Sequence, residues 1–507
     1  MLTADQIEVL GDKSMQLVTP VTDFLIEEIA RRISEAGQLT ATASYQVWRA
    51  QQLGLSQKEI KKRLKKLLGV SSEKLEQLLT QSAEAGYNFD IRNLPTEAAI
   101  PFADNSAIQQ IVSAAVQLAQ DDLSNITQTI GFVGPDGQTR ELTQAYQQAC
   151  DFAFTKVSTG AQDYNSAIRE ATRNLAEKGI VTIDYESGVH TSLEAAVRRN
   201  IMGGLGLMQE RISKQNHDDF GCNGWETSAH AASAPDHEPI QGKQYSDAEF
   251  EKLNNSLVRR IGTLGCGHSA FPIILGVDSP QYTPEELEKF RADNEKGIDY
   301  NGRHYTMYEA TQCQRKLERA IRKQKRRILV SEQNPNDKDR LQQAQIKYQV
   351  LDQEYKRFSK AAGIRLQHER MEMTGFGPGQ AKAAEKALEN KLRYDKMVSE
   401  IKTVGGFSQN VKINIPATAI EPNGYAFDDV HINKERLHGV SREQAENWIL
   451  GARMSATVWN GKFERFYGTD GAAYVDLIEK QIRTAFSSAE FDDKTKAILE
   501  VLKKYGY

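Results

Sequence analysis

Residues 341–358 read LQQAQIKYQVLDQEYKRF, and this stretch decides the class of fold. Its apolar side chains recur at alternating spacings of three and four residues, as on one buried face of an α-helix. They are Leu341, Ala344, Tyr348, Leu351, Tyr355 and Phe358. A seam of about three heptads predicts a helix that packs antiparallel against a second long helix. That second helix is predicted to begin near Thr306 and to end at Asn334-Pro335.

The composition is ordinary for a soluble protein of several domains. The chain has 507 residues, 39% of them hydrophobic and 26% charged, so two to four domains with sizeable cores are expected. The net charge of −4 gives no global signature of nucleic-acid or membrane binding. No apolar run reaches about eighteen residues, so no membrane-spanning helix is predicted. Four widely spaced cysteines argue against a disulfide framework, and the first residues lack the features of a signal peptide. Synthesis in the cytoplasm is expected.

The predicted elements divide the chain into four regions. Residues 1–100 form a helical, adaptor-like region, and residues 101–302 form an α+β core with loops rich in His, Gly and Pro. Residues 303–402 form a long helical hairpin and a linker, and residues 403–507 form a small α+β domain. The predicted fold is therefore multidomain and mainly α, with long helices and a C-terminal α+β part. The many basic residues of the first hairpin helix are expected on a solvated face that pairs with acids of the neighbouring helix, with a nucleic-acid contact as the alternative.

Chemically active side chains are densest between Trp225 and Tyr282, among glycines and prolines. Zinc would take four ligands of the types found in and just before this segment. The candidates are Cys222, His230, His237, Cys266 and His268. Their spacings match no standard zinc motif, which favours hydrogen-bonded structural histidines and no cofactor. Two alternatives stay open, a zinc site and a Cys266 nucleophile with His230 or His237 as its base.

The order of residues in this segment resembles the phage minor capsid protein 2 family, which is related to Mu-type head-morphogenesis proteins. The matching residues are Trp225, Ser228, His230, Pro235, His237, Gln241, Gly242, Lys243, Tyr245, Ser246, Cys266, His268, Pro272 and Gly276. The run from Tyr305 to Arg322 also resembles the long helical region of that family. Departures are Ala232 and Ala234, where the family pattern has a Gly and an Arg, and Gly267, which replaces a basic residue.

This resemblance implies a virion protein, made in the host bacterial cytoplasm and present in few copies near the portal or inside the head. It implies a part in virion assembly and in DNA packaging or ejection, with phage portal and capsid proteins as partners, a multimeric setting, and phage DNA as a further candidate partner. The core region is then expected to be non-enzymatic. Its structural motif would consist of Trp225, His230, His237, Gln241, Gly242, Lys243, Cys266 and His268.

The C-terminal region carries a second resemblance. The segment from His431 to Ser441, a following helix, a β-meander and the run 482–486 resemble phage nuclease-like domains of the barnase–EndoU–colicin–RelE type. The resemblance implies metal-independent cleavage of host RNA, which needs a base, an acid and cations for the phosphorane. His431 could be the base or the acid, Arg436, His438 and Arg483 are the other candidates, and Thr484 could hydrogen-bond phosphate. The alternative function is thus a virion-carried RNase or toxin effector. Histidines that merely cap or pack remain the other interpretation, so enzymatic activity is left open.

Overall fold

The chain forms two compact units, unit 1 from Met1 to Glu385 and unit 2 from Lys386 to Tyr507. The computed structural model describes residues 4–38, 71–92, 99–128, 130–133, 139–141, 150–156, 190–262, 266–334 and 338–507, with isolated positions and short runs between 62 and 183. The predicted multidomain, mainly α architecture with a C-terminal α+β part is confirmed. The division into four regions stays a prediction.

The helices of unit 1 account for most of its described residues. In chain order they are α1 (Ala4–Gln16), α2 (Thr19–Gln38), α3 (residues 71–92), α4 (Ser106–Gln128), α5 (Leu193–Asp219), α6 (Asp247–Ser256), α7 (Pro284–Lys296), α8 (Met307–Glu332) and α9 (Lys338–Ala362). The helix α10 (Pro378–Gly405) begins in unit 1 and continues into unit 2. Among the described residues, no helix has the length and apolar character needed to cross a bilayer.

The amino-terminal helices share one apolar core. The stripe predicted for α2 is buried there, with Leu25, Ile29 and Ile33 at most 1% exposed. It packs in one cluster with apolar residues of α3, α4 and α5. A helix around Trp48 and a lysine-rich helix over residues 57–68 were also indicated by the sequence, but these lie almost entirely outside the described residues.

The predicted antiparallel helix pair is confirmed by α8 and α9. The Gln314 side chain donates to Ser359 Oγ at 3.0 Å, and the Tyr355 hydroxyl donates to Glu318 Oε1 at 3.3 Å. Later residues of α8 therefore meet earlier residues of α9. Apolar side chains of both helices fill the seam between them. They include Ile321, Ile328, Ala344, Tyr348 and Tyr355.

The prediction of a solvated basic face on α8 holds for Lys316 and Arg319, which are exposed, but three arginines of this helix pair with acids outside the neighbouring helix. Arg322 is almost buried and contacts Glu194 of α5 at 2.9 Å. Arg315 contacts Glu8 of α1 at 3.2 Å, and Arg327 contacts Glu177 at 2.9 Å. These cations instead tie α8 to acids of other parts of unit 1. The helix α8 also packs against α2 as well as against α9.

Three small sheets complete the described part of unit 1. A four-stranded sheet has the order β2 (Thr139–Glu141), β1 (Ile130–Val133), β3 (Val181–Ile183) and β4 (His190–Ser192). A three-stranded sheet places β5 (Gly224–Thr227) between β6 (Gln244–Ser246) and β7 (Ala270–Ile273). The strands β8 (Ile298–Tyr300) and β9 (Arg303–Tyr305) form a hairpin. The three-stranded sheet carries the candidate site of unit 1.

Unit 2 is a six-stranded sheet with helices on both faces. Its strands are β10 (Lys412–Asn414), β11 (Ala426–Phe427), β12 (Met454–Val458), β13 (Phe463–Tyr467), β14 (Gly471–Asp476) and β15 (Gln481–Ser487), in the spatial order β10-β12-β13-β14-β15-β11. The last pair is parallel and the others are antiparallel. Tyr467 and Ala472 face a core shared with α10 and α12 (Asp493–Tyr505), while their neighbours Phe466 and Ala473 face a core shared with α11 (Arg442–Leu450). Successive side chains of a strand point to opposite faces of the sheet, so one strand contributes residues to both cores.

Gly471 is required where α11 packs on the sheet of unit 2. A Cβ at this position would lie 2.2 Å from Cδ2 of the Trp448 indole. We expect Gly471→Ala to lower the free energy of unfolding of unit 2 by about 1–3 kcal/mol, because the indole would have to move out of a packed layer. Gly424→Ala is the matched control, since nothing lies within 4 Å of a Cβ there. Denaturant unfolding measures both variants, and equal midpoints would contradict the expectation.

Candidate functional site

The irregular segment after β5 and the irregular segment before β7 are tied to each other by hydrogen bonds. The Ser228 N–H donates to Ser269 O at 2.8 Å, and the Ser269 N–H donates to Ser228 Oγ at 2.9 Å. The Thr227 hydroxyl donates to Ile240 O at 2.7 Å. Residues far apart in the chain are thereby held side by side at the end of β5.

Two of the predicted motif residues shape this region by packing. The indole of Trp225 stacks between His217 and Phe250, with ring centroids 5.1 and 5.4 Å away. Gly242 has a φ of +66°, and a Cβ there would lie 2.4 Å from Leu287 Cδ2 of α7. Only glycine fits that position without displacing α7. The predicted motif residue Lys243, in contrast, has an exposed side chain.

His237, Cys266 and His268 meet in the interior of unit 1. All three are buried, and one potential ligand atom from each lies within 4.8 Å of the others. Cys266 Sγ is 3.2 Å from His237 Nδ1 and 3.6 Å from His268 Nδ1. This group comprises three of the five predicted metal-ligand candidates.

The outer nitrogen of each imidazole is held by an oxygen acceptor. His237 Nε2 lies 3.0 Å from Arg259 O, and His268 Nε2 lies 3.1 Å from Gln241 Oε1. Gln241 Oε1 also accepts the backbone N–H of His230 at 3.2 Å, which identifies it as the amide oxygen. Because both oxygens only accept, each Nε2 carries a proton. Each Nδ1 is then the atom that faces Cys266 Sγ, and in a neutral ring it presents a lone pair.

Burial favours the neutral forms of His268 and Cys266. Burial, together with the nearby His230 and His237, lowers the pKa of His268 to about 3. Burial also raises the pKa of the Cys266 thiol. A reactive cysteine needs the opposite shift, because the thiolate is the nucleophile. His237 Nδ1 lies within reach of the thiol, but the raised thiol pKa gives no support to Cys266 as an activated nucleophile.

The two remaining candidate ligands differ in position. The ring of His230 lies 4.3 Å from that of His268 between centroids, and His230 Nδ1 donates to Ala231 O at 2.7 Å. Cys222 is buried near the end of α5, where its N–H donates to His217 O. In the part of the chain that the structure describes, the group of ligand atoms within 4.8 Å includes neither Cys222 nor His230.

The predicted residues of unit 2 fall into two groups along β15. Asp428 Oδ2 accepts from Arg483 Nη1 at 2.7 Å, and Asp428 Oδ1 accepts the backbone N–H of His431 at 3.2 Å. His431 Nδ1 lies 2.8 Å from Glu435 Oε2. Arg483 and His431 are thus brought to one carboxylate at the start of β15. The neighbouring Thr484 is half-buried on the same strand.

His438 belongs to the second group. Its Nδ1 lies 2.7 Å from Glu490 Oε2, and its ring lies 5.7 Å from that of Phe486 near the end of β15. The His438 backbone N–H also donates to Ile432 O at 3.1 Å, so the His438 backbone lies next to the turn that carries His431. Arg436 is exposed. Of the predicted catalytic residues, the structure therefore joins His431 with Arg483 through Asp428.

Comparison with protein-family models shows which proteins this chain resembles. The model of the family described as phage minor capsid protein 2 matches residues 2–359. The chain belongs to this family. The minor capsid protein is accordingly a structural component of a phage head. No curated protein and no solved structure matches it.

The family match covers every motif residue of the segment from Trp225 to Gly276, as the sequence resemblance predicted. It stops before unit 2, so the nuclease-like interpretation of the C-terminal part of this minor capsid protein stays a prediction. Several partners in both candidate sites were not predicted. Glu435, four residues after His431 on one helical turn, could have been found from its spacing. The carbonyl of Arg259 and the carboxylate of Glu490 carry no local signal in the sequence.

Ala232 of the minor capsid protein occupies a backbone conformation that favours glycine. Its φ is +60°, at the position where the family pattern led us to expect a Gly. The left-handed conformation costs an L-residue about 1–2 kcal/mol, while glycine adds about 0.4–1 kcal/mol of entropy to the unfolded chain. We expect Ala232→Gly to raise the free energy of unfolding by roughly 0.5–1 kcal/mol in denaturant titrations.

The matched control for this substitution is Ala234→Gly. Ala234 is also half-buried, and it is not among the described residues with positive φ. Glycine there relieves no strain and should destabilise unit 1. If both variants lost stability equally, the positive φ of Ala232 would carry no energetic cost.

Proposed function

We propose that this minor capsid protein is associated with the portal or the head interior and acts in virion assembly and in DNA packaging or ejection. The observation that carries the proposal is the family match over residues 2–359, which covers most of unit 1. The assembly role therefore belongs to unit 1.

The interior of unit 1 suits a rigid scaffold. A buried ion pair joins α5 to α8, a half-exposed ion pair joins α1 to α8, and the motif segment is fastened by hydrogen bonds between distant residues. Burial raises the pKa of its Cys266 thiol and lowers the pKa of His268, which is the opposite of what a thiolate nucleophile requires. A fixed surface for neighbouring head proteins is the use that this arrangement supports.

A phage that carries an early stop codon in this gene tests the proposal. We expect its lysates to lack DNA-filled, infectious heads, and cross-linking of wild-type particles to join the protein to the portal. Complementation with His431→Ala should restore filled heads as well as wild type does, since that substitution leaves unit 1 unchanged. Normal filled heads and ejection without the protein would contradict an assembly role, and cross-links confined to the outer capsid surface would contradict the location.

A second candidate function, an RNase activity of unit 2, is favoured by Asp428, which accepts from the Arg483 side chain and from the backbone N–H of His431. In this proposal His431 accepts the proton of a ribose 2′-OH, and O2′ attacks the phosphorus. The bond from phosphorus to O5′ breaks, and a protonated His438 supplies the proton to O5′. Arg483 and Arg436 offer cations for the charge on the phosphorane, and Thr484 offers a hydroxyl.

Cleavage of labelled single-stranded RNA by the full chain tests this second function. We expect His431→Ala to slow cleavage by about 100-fold or more, which is the usual contribution of a positioned acid or base. His304→Ala is the control, because His304 is a histidine of unit 1 that pairs with Asp299 at 3.0 Å. Absence of cleavage by wild type, or equal cleavage by His431→Ala, would end the enzyme hypothesis.

A further inference from the structure

We propose that His237, Cys266 and His268 bind a divalent transition-metal ion of the zinc class. Both histidines bind through Nδ1, and Cys266 binds as the thiolate. The site joins the segment between β5 and β6 to the segment before β7, and it is independent of the head-assembly and RNase functions proposed above.

The inference rests on the number of protons available for hydrogen bonds within the cluster. Each Nε2 donates its proton to an oxygen, so each Nδ1 presents a lone pair toward Cys266 Sγ. A thiol has a single proton and can satisfy one of these two acceptors. The second buried lone pair then faces sulfur without a donor, which is unfavourable. A cation between the three atoms satisfies both nitrogens and the sulfur together.

The distances fit such an ion. Zinc bonds of about 2.3 Å to sulfur and about 2.0–2.1 Å to nitrogen, at tetrahedral angles, separate the sulfur from each nitrogen by about 3.6 Å. The observed separations are 3.6 Å for His268 Nδ1 and 3.2 Å for His237 Nδ1. Small rotations of the side chains would close the difference.

The surrounding groups have the arrangement of an outer ligand shell. A metal-binding histidine usually donates its other N–H to a carbonyl or carboxylate, which fixes the ring and its tautomer. Here Arg259 O and Gln241 Oε1 fill that role. The carboxylate of Asp236 lies 3.9 Å from His237 Nε2, where its charge would offset the positive charge of the loaded site.

A fourth position is available from a cavity of about 660 Å³ that the three ligands help to line. Three protein ligands with one open position are typical of zinc sites that retain a water molecule. Arg259 and Arg315 also line this cavity, and both are paired with carboxylates. Water from the cavity would complete the coordination.

Metal loading of the purified full chain tests the site. The protein is first freed of metal by chelation, then loaded with Zn²⁺ and dialysed. We then expect about one Zn²⁺ per chain by elemental analysis. Co²⁺ should give the near-ultraviolet charge-transfer band of a thiolate ligand. Cys266→Ser and His268→Asn should abolish both signals, whereas Cys222→Ser, at a buried thiol outside the cluster, should retain them. Gln241→Ala should still bind, with an affinity lower by roughly 10–100-fold, because the orientation of His268 is lost.

The Co²⁺ spectrum of wild type decides the proposal even if a ligand variant fails to fold. Absence of the thiolate band, a zinc content near zero after loading, or full binding by a folded Cys266→Ser variant would overturn it. Chelation should also lower the midpoint of thermal unfolding of wild type and Cys222→Ser. An unchanged midpoint for the metal-loaded wild type would show that the ion does not join the two segments.

Discussion

Replacing Arg370 with methionine should lower the free energy of unfolding of unit 1 by about 3–5 kcal/mol at neutral pH, the usual cost of leaving buried charges without their partner. The side chain of Arg370 is 8% exposed and contacts Glu8, Asp12 at 2.7 Å and Glu318 at 3.5 Å. Three carboxylates thus depend on one guanidinium, although Arg315 and Arg198 also approach Glu8 and Asp12. Denaturant unfolding of the full chain measures the loss.

Arg365→Met is the matched control. Arg365 contacts Glu369 at 3.9 Å with a side chain that is 76% exposed, and exposed pairs contribute about 0–1 kcal/mol. Equal effects of the two substitutions would show that the buried cluster adds no stability.

The loss of unfolding free energy caused by Arg370→Met should also become smaller as the pH falls. Burial already raises the pKa of Asp12 and of Glu318 in the wild type, with Arg370 opposing both shifts. Burial also acts on Glu8, but the hydrogen bonds and charges of Arg370 and Arg315 outweigh it and lower that pKa. Without Arg370, all three folded-state pKa values rise. The folded variant then binds more protons than its unfolded chain, so its stability recovers toward pH 5.

Asp23→Asn should stabilise unit 1 at pH 8 and much less at pH 5. Burial, with a smaller contribution from the charge of Glu194, raises the pKa of Asp23 from 3.8 to about 7 against opposing effects of the Thr374 N–H and Arg322. A raised folded pKa means stability that is present below about pH 4 and is lost as the pH rises to about 7. Since each pKa unit corresponds to 1.36 kcal/mol, the advantage of Asn should grow by roughly 2–3 kcal/mol between pH 5 and pH 8.

Asparagine keeps an oxygen that can accept the Thr374 N–H, so this substitution removes the charge and retains the hydrogen bond. Asp121→Asn is the control, because Asp121 is exposed on α4. A constant difference between Asp23→Asn and wild type across this range would refute a buried, protonatable Asp23.

Elements with strong local patterns were predictable from the sequence. The three-and-four spacing in residues 341–358 predicted the pairing of α8 with α9. Alternating residues separated by turns predicted β12 to β15. The terminal helix α12 was not predicted, although Asp492 caps it and Gly506 ends it.

The residue types of the candidate sites were predictable from the sequence, but which of these residues come together in space was not. Cys266-x-His268 fits no standard zinc spacing, and the third member, His237, comes from a separate segment. Sequence spacing fails here because irregular backbone, held by contacts such as those between Ser228 and Ser269, sets the directions of the side chains. The basic face of α8 was partly misjudged for a related reason, since the acids that pair with its three arginines lie more than a hundred residues away.

The sequence by itself determined the family of this minor capsid protein, its long helix pair and its C-terminal meander, because motif order and periodicity are local properties of the chain. The tertiary structure alone decided that two histidines direct their Nδ1 lone pairs at one buried cysteine and that Arg370 lies among three carboxylates. Both arrangements depend on tautomers, burial and charge partners that arise only when distant segments pack together.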